Sequence, residues 1–229
     1  DGDQDIAVTT SGDNRVTVFL QTSPGTFVGQ TPIATGTNPS RIRTADLNND
    51  GTFDLVVVNQ QSTNVTVVLN NSSSGSLSLA TPTTFEAAVS GEAIVVADFN
   101  SDGFNDVALS GEDASLLSLL LNDGMGAFGA PTLIDLHGTF PIEIAPIMLN
   151  ADGDIDLAIT DASFSEVLLL TSTTGSHAVA LDAGENVTAQ NFANRNINQA
   201  PVITVPSAQS TNEEVPLVFG DTGSNGISI

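Results

Sequence analysis

Acidic and amide side chains recur in this sequence at a spacing suited to wrapping a hard cation in oxygen. One nine-residue phrase runs Asp46-Leu-Asn48-Asn-Asp50-Gly51-Thr52-Phe-Asp54, and a second runs Asp98-Phe-Asn100-Ser-Asp102-Gly103-Phe104-Asn-Asp106. A third, Met148-Leu-Asn150-Ala-Asp152-Gly153-Asp154-Ile-Asp156, lacks only the first acid, and the chain opens on Asp1-Gly2-Asp3-Gln-Asp5, the tail of a fourth. Calcium accepts about six to eight oxygen ligands at about 2.3–2.6 Å and tolerates irregular geometry. Acids or amides at positions 1, 3, 5 and 9, with a backbone carbonyl at position 7, can surround one such ion if the chain turns sharply. Glycine at position 6 permits that turn.

The candidate ligand sets follow. The first complete loop offers Asp46, Asn48, Asp50, the Thr52 carbonyl and Asp54; the second offers Asp98, Asn100, Asp102, the Phe104 carbonyl and Asp106. The third keeps Asn150, Asp152, Asp154 and Asp156, a set expected to bind more weakly or with water completing the shell. The cut copy at Asp1 is not expected to bind alone. A calcium loop of the helix–loop–helix kind needs glutamate at position 12. Here that position holds Val57, Leu109 or Ile159, so the motif is a different one.

The closing acids Asp5, Asp54, Asp106 and Asp156 lie 49, 52 and 50 residues apart. A repeat of that length points to a repeated supersecondary unit. Each unit has a short strand entering the loop (Arg41 to Ala45, Ala93 to Ala97, Ile142 to Ile147) and an apolar strand starting after the last acid. A polar turn and a third strand follow, such as Val65 to Leu69 or Glu166 to Leu170, and a Gly-Xaa-Phe turn, as at Gly25 and Gly126, introduces a fourth. Four antiparallel strands in about fifty residues make one propeller blade. The expected fold is therefore all-β: a partial blade over 1–34, blades over 35–86 and 87–133, and an atypical last blade over 134–193. That last blade is expected to finish in a β-hairpin within Ala178 to Phe192. A linker at 194–201 and the first strands of a β-sandwich at 202–229 complete the division. Some thirty residues cannot close a sandwich, so the chain reads as a piece of something longer.

Composition narrows the function classes. The 229 residues carry a formal net charge of −23, with no lysine and four arginines, Arg15, Arg41, Arg43 and Arg195. Nothing there can neutralise a row of phosphates or an anionic membrane. Nucleic acid is excluded as a partner, and no apolar run reaches the length of a membrane span. Twelve of the 27 acidic residues lie inside the four phrases, which locates much of the charge. Without cysteine there are no disulfides, thiolate metal sites or cysteine nucleophiles. The two histidines, His137 and His177, share no motif with a nucleophile, and no Gly-Xaa-Ser-Xaa-Gly elbow occurs. No enzymatic activity is expected.

These phrases closely resemble the FG-GAP/VCBS repeats, the calcium-loop blades of integrin α-subunit propellers and of many bacterial surface proteins, over about residues 1–170. The resemblance implies a β-propeller with Ca2+ in loops between strands of a blade. The segment from Asn198-Gln-Ala-Pro201 onward resembles the opening of a cadherin-like or Ig-like module. Together they imply an extracellular or cell-surface module of a large bacterial protein, acting as an adhesive scaffold with a protein or glycan ligand. The alternative is an accessory propeller of a secreted polysaccharide-active enzyme. Tryptophan and tyrosine, the usual sugar platforms, are both absent.

Overall fold

A computed structural model describes residues 2–73, 76–111, 115–136, 140–149, 151, 153–162, 166–172 and 190–192. All of them lie in the unit Asp1–Ile197; the second unit, Asn198–Ile229, falls outside the described residues, as do the expected linker and sandwich strands. Every regular element among the described residues is a strand.

Four sheets of four strands follow one another along the chain. The first holds β1 (Ile6–Thr10), β2 (Arg15–Ser23), β3 (Thr26–Gly29) and β4 (Ile33–Ala34), with β3 and β4 both pairing β2. The second runs β5 (Pro39–Ala45), β6 (Asp54–Asn59), β7 (Asn64–Val68), β8 (Thr83–Glu86), each strand antiparallel to the next. The third repeats that order with β9 (Gly91–Ala97), β10 (Asp106–Gly111), β11 (Leu116–Leu120) and β12 (Thr132–Asp135). The fourth has β13 (Pro141–Ile147), β14 (Asp156–Asp161), β15 (Glu166–Ser172) and β16 (Gln190–Phe192).

The outermost strand of the fourth sheet runs parallel to its neighbour, unlike those of the second and third sheets. β16 pairs β15 in parallel, Leu170 opposite Gln190 and Ser172 opposite Phe192. A tight hairpin delivers only an antiparallel neighbour, so β15 and β16 are not the two arms of one. The rest of the expected hairpin lies outside the described residues.

Burial explains why the second strand of each unit is so apolar. Every residue of β6 and of β10 is buried, because each of these strands has a paired neighbour on both edges and a packed sheet on both faces. Alternate side chains then serve two cores. Leu55, Val57 and Val68 meet Val16 and Val18 of the first sheet, whereas Val56, Val58, Val65 and Val67 meet Val107, Leu109 and Leu120 of the third. Beyond them, Ala108, Leu117 and Leu119 meet Leu157, Ile159, Leu168 and Leu170 of the fourth. Burying each such side chain is worth about 1.5–3 kcal/mol. The sheets are blades, packed face on face in chain order.

Candidate functional site

Each acidic phrase forms the connection from a blade's first strand to its second: 46–53 joins β5 to β6, 98–105 joins β9 to β10, and 148–155 joins β13 to β14. The first two fold the same way. Asp46 accepts the amides of Asp50 (3.2 Å) and Gly51 (2.9 Å); Asp98 accepts those of Asp102 (3.1 Å) and Gly103 (2.8 Å). Asn48 and Asn100 accept the same Asp50 and Asp102 amides, at 3.2 and 3.1 Å. Asp50 accepts the Thr52 amide and Asp102 the Phe104 amide, both at 2.8 Å. The turn needs left-handed backbone at positions 4 and 6: Asn49 has φ 56° and Ser101 58°, Gly51 85° and Gly103 90°. Asparagine tolerates that region and glycine is at ease in it.

The closing acid plays a second part. Asp54 is fully buried, with Oδ2 accepting the Leu47 amide at 2.9 Å and Oδ1 the Asn70 amide at 2.7 Å. Asp106 takes the amides of Phe99 (3.1 Å) and Asn122 (2.8 Å); Asp156 takes those of Leu149 and Ser172, both at 2.7 Å. Asp5 accepts the Gln21 amide at 2.9 Å. In all four units the closing carboxylate accepts the amide of the residue sixteen positions later: Gln21 in β2, Asn70 just past β7, Asn122 just past β11 and Ser172 at the end of β15.

The electrostatics follow from burial and crowding. Burial pushes the Asp54 carboxyl up, against the pull of its two amides, and the charges of Asp50 and Asp46 push the same way. The same causes, with Asp102 and Asp98 as neighbours, raise Asp106 to about 7. Asp50 is exposed and held below the ordinary carboxylate range by the Thr52 hydroxyl and amide and by the Asn48 side chain.

Neighbouring loops are also bonded to one another. Asn105 donates to the Asp46 carbonyl (2.9 Å), and Asn49 donates to the Gly103 carbonyl (3.2 Å). Buried Asn122 donates to Leu47 O at 2.7 Å and to Asn105 O at 3.0 Å, while its own oxygen accepts the amides of Gly124 and Gly126. Farther along, Ser101 donates to Asp154 at 3.0 Å. Neither Asn105 nor Asn122 stands out in the sequence, because an asparagine bonding to backbone 59 or 75 residues away leaves no local pattern.

Of the sequence-predicted ligands, Asn150 and Asp152 lie outside the described residues, as do Asp1, His137 and His177. Asp154 is buried and Asp156 fully so, both at the end of the third loop. The oxygen-only donor set of the first two loops suits a hard divalent cation. As placed, however, those side chains turn to their own amides, and among the described residues no three His, Cys, Asp or Glu side chains gather as a metal-binding group. A carboxylate oxygen that accepts one amide still has a second lone pair to offer, so the donor chemistry fits calcium once the oxygens draw together.

Fold and site define an all-β repeat protein whose face-packed blades carry adjoining acidic loops. Residues 1–57 and 46–109 match the family model for the FG-GAP-like repeat. This stretch of the chain is thus built of FG-GAP-like repeats. No curated protein is similar to the chain. Among solved structures, one described as the structural basis of specific recognition of non-reducing terminal N-acetylglucosamine by an Agrocybe aegerita lectin is similar at 21% identity, with a TM-score of 0.44. The likeness covers 65% of this chain and 41% of that one, so this chain spans about two fifths of that protein's length. No helix among the described residues is long and apolar enough to cross a membrane.

Proposed function

We propose that this chain is a calcium-stiffened repeat module of an extracellular or cell-surface protein, serving as a scaffold for adhesion or matrix contact with a protein or glycan partner. One observation carries the reading: two complete nine-residue loops, 52 residues apart, fold alike and set a buried closing carboxylate near two further acids. A row of like charges costs stability, and a bound divalent cation reverses that cost by supplying the missing positive charge. Asp46, Asn48, Asp50, the Thr52 carbonyl and Asp54 would hold one ion; Asp98, Asn100, Asp102, the Phe104 carbonyl and Asp106 a second. Because Asn105 and Asn122 tie one loop to the next, ions in both would stiffen the blades as a row. Calcium titration of metal-free protein by calorimetry tests this. Extracellular calcium modules bind at about 10⁻⁴–10⁻³ M, so the titration must reach millimolar levels. Binding heat for two sites supports the reading, and a flat trace refutes it.

A further inference from the structure

We propose that calcium binding at the two complete loops is positively cooperative, with Asn49 and Asn105 as the residues that couple them. The coupling rests on the calcium reading above, since it needs both loops to take an ion.

Three side-chain bridges join the loop 46–54 to the blade of the loop 98–106, and each is anchored at or beside a candidate ligand. Asn49 lies between Asn48 and Asp50 and donates to the Gly103 carbonyl at 3.2 Å. Asn105 donates to the carbonyl of Asp46, itself a candidate ligand, at 2.9 Å. Gly103 and Asn105 are the two neighbours of Phe104, whose carbonyl is the seventh-position donor of the second loop. The backbone that must present that carbonyl is therefore held to the first loop on both sides. Asn122 completes the set by donating to Leu47 O, between Asp46 and Asn48, at 2.7 Å. The third loop has Ile155 in the place of Asn105, packed against the apolar core and with no donor in its side chain. The reciprocal pair of bridges joins the two complete loops and cannot form between the second and the third.

The sign of the coupling follows from what binding must do. Asp46, Asp50, Asp98 and Asp102 accept amides of their own loops, so drawing their oxygens around an ion reorders each loop. Fixing one loop fixes the backbone to which the other is bonded. The second ion then meets a loop that has already lost part of its conformational freedom, which favours its binding. Charge acts in the opposite direction, because an ion in one loop weakens the negative field that draws in the next. Salt screens that effect and leaves the hydrogen bonds in place, so cooperativity increases with ionic strength.

Calorimetric calcium titration reads the coupling. Asp102→Ala and Asp50→Ala each disable one loop and give the affinity of the other alone. The wild type gives the product of both affinities when both loops fill. The ratio of that product to the product of the single-loop values is the coupling factor. Couplings between sites are typically about 5- to 150-fold, and a factor of about five or more, rising with salt, is the expected result. The same three titrations in an Asn49→Gly, Asn105→Ala background should give a factor lowered toward one, with both ions still bound. Glycine keeps the left-handed backbone at position 49, where φ is 56°, and a cooperative melting curve in chelator checks folding. Two independent sites in the wild type overturn the proposal and leave the calcium reading standing, as does a factor that the two substitutions leave unchanged. No binding heat in the wild type overturns the calcium reading, and the coupling with it.

Discussion

The Asp106 carboxylate accepts the Asn122 amide at 2.8 Å, and Asn122 in turn donates through its side chain to Leu47 O of the preceding blade at 2.7 Å. Two residues thus join the end of an acidic loop, the turn that leaves the third strand of its own blade and the start of the loop before it. The loop is anchored to the blade stack through its last acid.

That anchor makes Asp106→Asn costly even without metal. Both carboxylate oxygens receive backbone N–H groups, and an amide side chain has only one acceptor oxygen, so one buried N–H loses its partner. The expected loss is about 1–3 kcal/mol, read as a lower denaturant midpoint in the presence of chelator. Asp54→Asn should behave alike, because its two oxygens are bound in the same way.

Asp50→Ala should show the opposite dependence. The Asp50 side chain is exposed and bonds within the loop to Thr52 and Asn48. Its removal should change the melting temperature little in chelator but remove one calcium-binding event and the stabilisation that goes with it. Equal destabilisation with and without calcium would show that Asp50 only shapes the turn.

Asn122→Ala tests the link between blades. The variant loses donors to Leu47 O and Asn105 O and leaves the Gly124 and Gly126 amides without their acceptor. A loss of about 1–3 kcal/mol is expected for such buried groups, together with weaker calcium affinity at the loop 46–54, which Asn122 itself does not ligate. Calorimetry of Asn122→Ala in an Asp102→Ala background isolates that loop.

Two glycine substitutions should fail for different reasons. At Gly103, φ is +90° and the added Cβ meets nothing, so Gly103→Ala costs only the left-handed backbone, about 1–2 kcal/mol. At Gly91 the Cβ would come within 2.5 Å of Val58 Cγ1 between the second and third blades. Overpacking there costs about 1–3 kcal/mol and should also broaden the unfolding transition by loosening the blade contact. Chemical denaturation of both variants separates the two.

Much of this was legible from the residues. The apolar runs that follow each closing acid become the buried β6, β10 and β14, because an abrupt change from ligand-rich polar residues to Leu and Val marks a strand entering a core. The entering strands were legible only from their place before each loop, since Arg41, Arg43 and Thr44 interrupt β5 and most of β13 is exposed. What escaped the sequence lies in contacts that span a repeat or more. The carboxylate bridge to the sixteenth residue onward has no local signature, and the same acids read equally well as metal ligands alone. Phe104 entered the expectation through its carbonyl; its ring, packed on Gly124, is a feature only the fold reveals. The outer strand of the first sheet splits into β3 and β4, since a Gly-Xaa-Phe turn fixes where a hairpin begins but not how long it stays paired.

If the two complete loops bind calcium, binding should stiffen the blade row. The most direct test is the melting temperature of the wild-type chain and of an Asp50→Ala, Asp102→Ala double variant, each in chelator and in millimolar calcium. With calcium tenfold above the dissociation constant, each occupied site adds about 1.4 kcal/mol, or about 3–6 °C. The wild type should show that rise for both sites and the double variant none. Equal melting temperatures in chelator and calcium for the wild type, or an equal rise in the double variant, would contradict calcium binding at the two loops.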